Sequence, residues 1–435
     1  FSRFSYMILT FVGHGYVGLV TAAVFADLGN RVWVIGHTKE KIENLKKGIL
    51  PIFEPGLEEL VKKNVAAKRL LFTLDYSPAI AESQVIFIAV GTPPTKTGDA
   101  DLTTVFEVAG KIGRNFSNYT VIATKSTVPV GTYKRIKTII DEVKPKEAEF
   151  DIASVPEFLR EGTAIADTLN PDRIVIGTDS DRAKNLLIDL HKPLQAPFIV
   201  TNLATAELIK YASNSFLATK ISFSNSIAKL SEIAGADGLK VLAGIGMDKR
   251  IGKQFLSPGL GYGGSCLPKD VKALIALSKD LDFPFMLLEE VERINHQARR
   301  DIVNKVRKTL LDLRKKTIAV LGLSFKPNTD DMRDAPSIDI IGLLQKDGAH
   351  IRAYDPEGMK NAKKILKGVI FCENPYEAAK GADLVIIVTE WNEFKEMNLK
   401  KLKEVMKQPI IIDGRNIYDP EKLKRLGFTY MGVGR

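Results

Sequence analysis

At 435 residues, 45% hydrophobic and 26% charged, the chain has the composition of a soluble globular protein and the length of two or three cores. Its formal net charge of +10 suits anionic ligands, and because Lys and Arg are spread along the chain rather than gathered in an arm, small anions are favoured over nucleic acid. Two cysteines exclude a disulfide framework and imply a reducing, cytoplasmic compartment, and no apolar run approaches the roughly 20 residues that span a bilayer.

Phe1 to Tyr6, ahead of Met7, lacks the apolar core of a signal peptide. Residues 9–12 form an apolar run, followed by the turn Gly13-His14-Gly15-Tyr16-Val17-Gly18, an amphipathic run at 19–28 and a second apolar run at 32–35. Strand, turn, helix, strand is the opening of a dinucleotide-binding unit: Gly13 makes the tight turn, Gly15 lets a pyrophosphate approach the backbone, and Gly18 lets helix close on sheet. The acidic residue expected to hold the adenine ribose at the end of the second strand falls at Gly36, followed by His37, Thr38 and Lys39. Two readings stay open: Thr38, Lys39 or Arg31 binds a 2′-phosphate, giving NADP or dual use, or NAD binds with its ribose held by backbone and Thr38.

Further strands are expected at 70–73, 85–90, 120–124, 152–154 and 174–176. Ligands gather at the carboxyl ends of such strands. There lie Val90-Gly91-Thr92-Pro93, Lys125-Ser126-Thr127-Val128-Pro129-Val130-Gly131-Thr132 and Pro156-Glu157-Phe158-Leu159-Arg160-Glu161-Gly162, which together are expected to line one cleft. Residues 204–235 hold few breakers and carry one apolar face through Leu208, Tyr211, Phe216, Leu217, Ile221, Ile227, Leu230 and Ile233. This reads as a long helix, straight or kinked, suited to joining domains and subunits. Lys210 and Asn214, spaced i, i+4, share one side of it.

From 259 to 270 the chain reads Gly-Leu-Gly-Tyr-Gly-Gly-Ser-Cys-Leu-Pro-Lys-Asp. Glycines let backbone come close to a ligand, and a thiol beside a cation is biased towards the nucleophilic thiolate, so Cys266 is the candidate nucleophile. A second α/β unit starts at Thr317, with strands at 318–321, 351–354, 369–371, 384–388 and 410–412 and a helix at 335–345, but without a G-x-G-x-x-G. Cys372, ending a strand, reads as a buried core thiol. The chain shows no short-period repeat and no zinc-ligand spacing.

Five stretches in order resemble the UDP-glucose/GDP-mannose dehydrogenase family: Gly-Tyr-Val-Gly-Leu-Val-Thr-Ala-Ala at 15–23, Glu-Pro-Gly-Leu-Glu-Glu-Leu at 54–60, Ser-Thr-Val-Pro-Val-Gly-Thr at 126–132, Pro-Glu-Phe-Leu-Arg-Glu-Gly at 156–162, and the Cys266 stretch. The resemblance covers nearly the whole chain. It departs at Gly36, and at Val155, where an Asn usually precedes Pro-Glu-Phe. It implies an α/β fold of two Rossmann-like doubly wound domains joined by a long central helix: 7–203 binding NAD(P), 204–300 a helical dimerisation region, and 301–435 binding the UDP-sugar.

The resemblance further implies a four-electron oxidation of a sugar C6 hydroxymethyl to a carboxylate with two NAD(P)+. Cys266 traps the aldehyde as a thiohemiacetal and carries the later thioester. Lys210 stabilises the oxyanion and Asn214 donates to the same oxygen. Asp270, through a water with Thr127, assists proton removal, and Glu157 serves the hydrolysis half. The cofactor is expected to meet Gly13, Gly15, Tyr16, Val17, Gly18, Thr38, Lys41, Gly91, Thr92, Thr127, Glu161, Lys269 and Arg333. The UDP-sugar is expected to meet Phe158, Leu159, Arg160, Lys210, Asn214, Phe255, Leu256, Tyr262, Gly263, Phe325, Lys326 and Arg415, with Arg250 reaching in from a neighbouring subunit. A homodimer without metal, nucleic acid or membrane is expected. Residues 158–162 look more like the UDP-glucose branch than its runners-up, dehydrogenases of UDP-ManNAc type or of GDP-mannose. A nucleotide-sugar binder without catalysis would be favoured by loss of Cys266, Lys210, Asn214 or Asp270, and all four are present.

Overall fold

The computed structural model describes residues 6–435; the expectation for the segment ahead of Met7 lies outside the described residues except at Tyr6, which is exposed. The chain packs into two compact units. One runs to Ser213 and includes Lys272–Leu277; the other comprises Asn214–Val271 and Ser278–Arg435. The region expected as a separate helical part, 204–300, is therefore divided between the two.

The first unit is built on β1 (Ile8–Val12), β2 (Arg31–Ile35), β3 (Leu70–Thr73), β4 (Val85–Ile88), β5 (Thr120–Thr124), β6 (Phe150–Ser154), β7 (Ile174–Gly177) and β8 (Phe198–Thr201). They lie in the order β3-β2-β1-β4-β5-β6-β7-β8. Neighbours run parallel except β6 and β7, which meet antiparallel at Ser154 and Gly177. β4 and β5 are buried along their whole length, which is why β4 reads as an unbroken apolar run and β5 as an apolar centre between two threonines, rather than alternating. Phe11 of β1 stacks on Phe87 of β4 with ring centroids 4.7 Å apart. The strand order reverses between β1 and β4, and the crevice at such a reversal is where doubly wound sheets take ligands.

The second unit holds β9 (Thr317–Leu321), β10 (His350–Tyr354), β11 (Val369–Phe371), β12 (Leu384–Ile387), β13 (Ile410–Asp413) and β14 (Thr429–Met431). All are parallel, in the order β11-β10-β9-β12-β13-β14, the same winding as the first sheet, with its reversal between β9 and β12. The sequence reading lacked β8 and β14. Both are edge strands; Ile199 and Val200 of β8 are exposed, and β14 is three residues long, so neither carries a core pattern.

The central helix Leu203–Ala234 is one unbroken run of 32 residues, as a segment free of Gly and Pro permits. The single apolar face expected of it is corrected: Tyr211 is buried, whereas Leu208, Phe216, Leu230 and Ile233, together with Phe223, are exposed.

Candidate active site

In the first unit, Gly13 (φ +123°) leaves β1 with its amide donating to Ile35 O of β2 at 2.9 Å. A Cβ there would stand 2.2 Å from Ala89 O, and one at Gly18 would stand 2.2 Å from Gly13 O, so both places admit only glycine; a Cβ at Gly15 meets nothing within 4 Å. The helix Tyr16–Asp27 begins at Gly15 with no side-chain cap and no acid in its first turn. Open space ahead of uncapped amide groups fits a dinucleotide pyrophosphate. The Tyr16 hydroxyl donates to Phe53 O at 3.0 Å. Glu54, buried, accepts from the amides of Gly162 (2.6 Å) and Ala164 (2.7 Å), fixing the turn that carries Glu161, itself buried.

The ends of β4, β5 and β6 are tied to one another. Thr92 Oγ1 donates to Thr127 O at 2.9 Å and Ser126 Oγ to Val90 O at 2.7 Å. Glu207, on the first turns of the central helix, accepts the amides of Gly131 (2.7 Å) and Tyr133 (3.2 Å). Behind them Lys210 Nζ donates to Glu157 Oε1 at 3.0 Å, with both side chains buried, and Glu157 Oε2 accepts the Leu159 amide at 2.7 Å. Lys210 also lies over the Phe158 ring at 5.3 Å. Lys125 shares this cluster: buried, it donates to Val155 O at 3.4 Å. Burial pushes its amine down to about 8, with Glu157 opposing and Lys210 reinforcing the fall.

Sequence reasoning placed Lys125 on the cleft without giving it a catalytic or binding role, and singled out Glu207 for nothing. The available signal for Lys125 was a lysine directly after a strand with the apolar centre Val121-Ile122-Ala123, a place where a cation persists only with partners; Glu207 had no such signal.

Two expected residues are engaged by carboxylates. Arg160 forks onto Asp167 (Nη2–Oδ1 2.7 Å) with most of its side chain exposed. Arg31, offered as a ligand of a 2′-phosphate, opens β2 at the strand end opposite Gly36 and pairs with Glu82 at 3.4 Å, which corrects that reading.

In the second unit, Cys266 directly precedes the helix Leu267–Asp280, and its carbonyl accepts the Asp270 amide at 2.9 Å. Asp270 is 1% exposed; its carboxylate accepts Asn214 Nδ2 at 2.6 Å on one oxygen and Lys269 Nζ at 2.6 Å on the other. The Ser265 hydroxyl lies 3.5 Å from the Cys266 sulfur. The glycine-rich loop ahead of the thiol is pressed between neighbours. At Gly264 (φ +86°) a Cβ would stand 2.7 Å from the Phe325 ring, while the Gly264 amide donates to Arg333 O at 2.9 Å.

Phe325 and Lys326 leave the end of β9 in a turn fixed by Asp355, which accepts the amides of Leu323 (2.6 Å) and Ser324 (3.0 Å) and the Trp391 indole N–H (3.1 Å). Arg415, just past β13, donates to Val388 O at 2.9 Å and Phe325 O at 3.3 Å. Phe325, Lys326, Arg415 and the loop with Gly263 thus share one end of the second sheet.

Leu256 and Tyr262 are buried. The Tyr262 hydroxyl donates to Glu292 and its backbone is held by Asn295 (2.7 and 3.1 Å); burial and Glu292 push this phenol far up. Phe255 adopts a left-handed φ of +63°. Arg333 forks onto Asp331 at 2.7 Å and Arg250 onto Asp248 at 2.6 Å, both mostly exposed. Among the described residues no group of three or more His, Cys, Asp or Glu is arranged to hold a metal, and no helix is long and apolar enough to cross a membrane.

Residues 7–195 match the NAD binding domain of the UDP-glucose/GDP-mannose dehydrogenase family, 204–297 its central domain and 319–420 its UDP binding domain. The UDP-glucose 6-dehydrogenase TuaD of Bacillus subtilis (strain 168) is 49% identical over 425 residues, covering 98% of this chain and 92% of its own. A UDP-glucose 6-dehydrogenase of Rhizobium meliloti (strain 1021) is 49% identical over 436 residues, covering 99% and 100%. Among solved structures, a UDP-glucose dehydrogenase from Pyrobaculum islandicum superposes with a TM-score of 0.94 at 37% identity, covering 100% of this chain and 99% of that one. A UDP-D-ManNAc dehydrogenase from Pyrococcus horikoshii follows at 0.87 and 27%, covering 98% and 99%. With three domain matches in chain order and relatives at 49% identity along almost its whole length, the chain belongs to the UDP-glucose/GDP-mannose dehydrogenase family.

Proposed function

We propose that this protein oxidises the C6 hydroxymethyl of UDP-glucose to the carboxylate of UDP-glucuronate, with Cys266 as the covalent nucleophile. The observation that carries the reading is the set beside the thiol: Cys266, half-buried, stands one helical turn before Asp270, whose buried carboxylate is shared by Asn214 and Lys269. NAD, held by Gly13 to Gly18 and the ends of β2 and β4, supplies the hydride acceptor for each of two oxidations.

Asp270 takes the proton of the C6 hydroxyl, directly or through a water, as the C–H bond breaks. The Cys266 thiolate then adds to the aldehyde carbon, forming a C–S bond and an oxyanion that Asn214 and Lys210, one turn apart on the central helix, stabilise. Loss of the second hydride leaves a thioester. Water adds to its carbonyl with Glu157 as base, the C–S bond breaks, and carboxylate and free thiol result. Covalent capture keeps the aldehyde from leaving between the oxidations.

Phe325, Lys326 and Arg415 are assigned to the UDP moiety on their common place at the end of the second sheet, and Phe158 and Leu159 to the sugar. The relatives named for UDP-glucose at 49% identity, against 27% for the UDP-D-ManNAc enzyme, support the hexose. The exposed apolar residues of the central helix support a homodimer.

Purified protein with UDP-glucose and NAD+ is expected to release two reduced cofactors per UDP-glucuronate, and Cys266→Ser to abolish this. Turnover of another nucleotide sugar but not UDP-glucose would replace the substrate; undiminished turnover by Cys266→Ser would remove the covalent step.

A further inference from the structure

The turn that follows β2 departs from what an NAD ribose site needs. In dinucleotide folds a carboxylate at the end of the second strand accepts the adenine ribose hydroxyls and repels a 2′-phosphate. Here the place is Gly36, beside the glycine turn through the Gly13–Ile35 bond. A Cβ on Gly36 would stand 2.5 Å and 2.8 Å from the Ile42 side chain and 3.1 Å from His14 Nδ1, so the volume of the missing side chain is already taken. His14, the second residue of the G-x-G-x-x-G, is 5% exposed, and its Nδ1 has no hydrogen-bond partner. A buried, unpaired ring nitrogen thus points to where the ribose acid would stand.

Cationic and donor groups surround this position. The His37 ring lies beside His14, centroids 5.0 Å apart and planes tilted by 47°. His37 and Lys41 both press the His14 ring towards its neutral form, its pKa lowered to about 4 chiefly by burial. Thr38 heads the helix Lys39–Lys46 and makes no side-chain cap to its first-turn amides, which leaves N–H groups and the positive end of the helix dipole for an anion. The acids nearby include Glu40, exposed on that first turn, Glu43, engaged by Lys46 at 2.9 Å, and Asp75, exposed two residues past Thr73, whose carbonyl accepts the Gly36 amide at 3.0 Å.

We infer that this turn binds the 2′-phosphate of adenosine, so that the protein takes NADP+ at least as well as NAD+, with His37, Thr38, Lys41 and the first-turn amides of helix Lys39–Lys46 as the phosphate ligands. The turnover arm of the test rests on the proposed dehydrogenase activity; the binding arm does not.

Calorimetry on the full chain compares adenosine 2′,5′-bisphosphate with adenosine 5′-monophosphate, and initial rates with UDP-glucose compare NADP+ with NAD+. The bisphosphate is expected to bind roughly tenfold more tightly, and Lys41→Ala and Thr38→Asp are each expected to remove most of that difference. Circular dichroism of both variants checks that they fold. Equal or weaker binding of the bisphosphate, with NAD+ turnover intact, overturns the inference and leaves the proposed activity standing. Tight bisphosphate binding that neither variant weakens overturns the assignment to this turn. Tight, variant-sensitive binding without turnover on either cofactor supports the inference and sinks the proposed activity.

Discussion

Glu207 is 3% exposed and carries its carboxylate onto the amides that open the helix Thr132–Val143. Burial pushes its pKa from 4.5 up to about 7, against the two N–H donors that favour the charged form. Between those values the folded protein holds a proton that the unfolded chain has lost. Its contribution to stability is therefore complete below about pH 4.5 and disappears as pH rises through about 7, by at most about 3 kcal/mol. Glu207→Gln does not titrate. Its stability relative to the parent, measured by urea unfolding, is expected to rise from pH ~5 to pH ~8; a difference that stays flat would mean that Glu207 is charged throughout. Because Glu207 anchors the Ser126–Thr132 segment, the same titration is expected to loosen the loop that carries Thr127.

The element most exposed to a single change is the glycine-rich loop before Cys266. Gly264→Ala puts a Cβ where Phe325 stands and forces a left-handed φ on an L-residue, costing about 1–2 kcal/mol for the backbone alone. The loop sits two residues before the thiol and against a ring assigned to the UDP moiety, so kcat/KM is expected to fall well beyond what that stability loss explains. Unchanged kinetics at reduced melting temperature would leave the loop only a packing role. The central helix makes a second prediction. Phe216, Phe223 and Leu230 recur every seven residues and are 66%, 48% and 60% exposed; burying each against a partner is worth ~2 kcal/mol. Phe223→Lys is expected to shift the protein from dimer to monomer in light scattering, and an unchanged mass would place any dimer elsewhere.

These elements also mark the limits of reading the sequence. Central strands such as β4 were legible as continuous apolar runs, while β8 and β14, wet at the sheet edges, were not. The helix at 204–235 was legible from its lack of breakers, but its apolar residues did not share one face, since Tyr211 faces the interior and Phe216 faces out. Cys266 and Asp270 were singled out by local spacing. The partnership of Lys125 with Glu157 and Lys210 arises only when β5, β6 and the central helix meet; the local sequence shows that a lysine at this strand end needs partners but not which ones.

At the scale of the whole molecule two kinds of electrostatics separate. The excess of 62 Lys and Arg over 52 Asp and Glu creates a long-range field that draws in anionic ligands, and such a field is screened over about 10 Å at 0.1 M salt. The pairs assigned to the chemistry, Lys210 with Glu157 and Asp270 with Asn214, are buried, with Lys269 half-buried beside Asp270, and escape most of that screening. Raising salt from ~0.05 M to ~0.5 M is therefore expected to increase KM for the nucleotide sugar several-fold while kcat stays within about twofold. Steady-state rates across the series make the check, with light scattering at each salt to hold assembly constant. A kcat that falls in step with kcat/KM, at constant mass, would mean that the catalytic charges are open to solvent. A KM indifferent to salt would mean that the net charge plays no part in capture, and that the local donors at the strand ends draw the phosphates in by themselves.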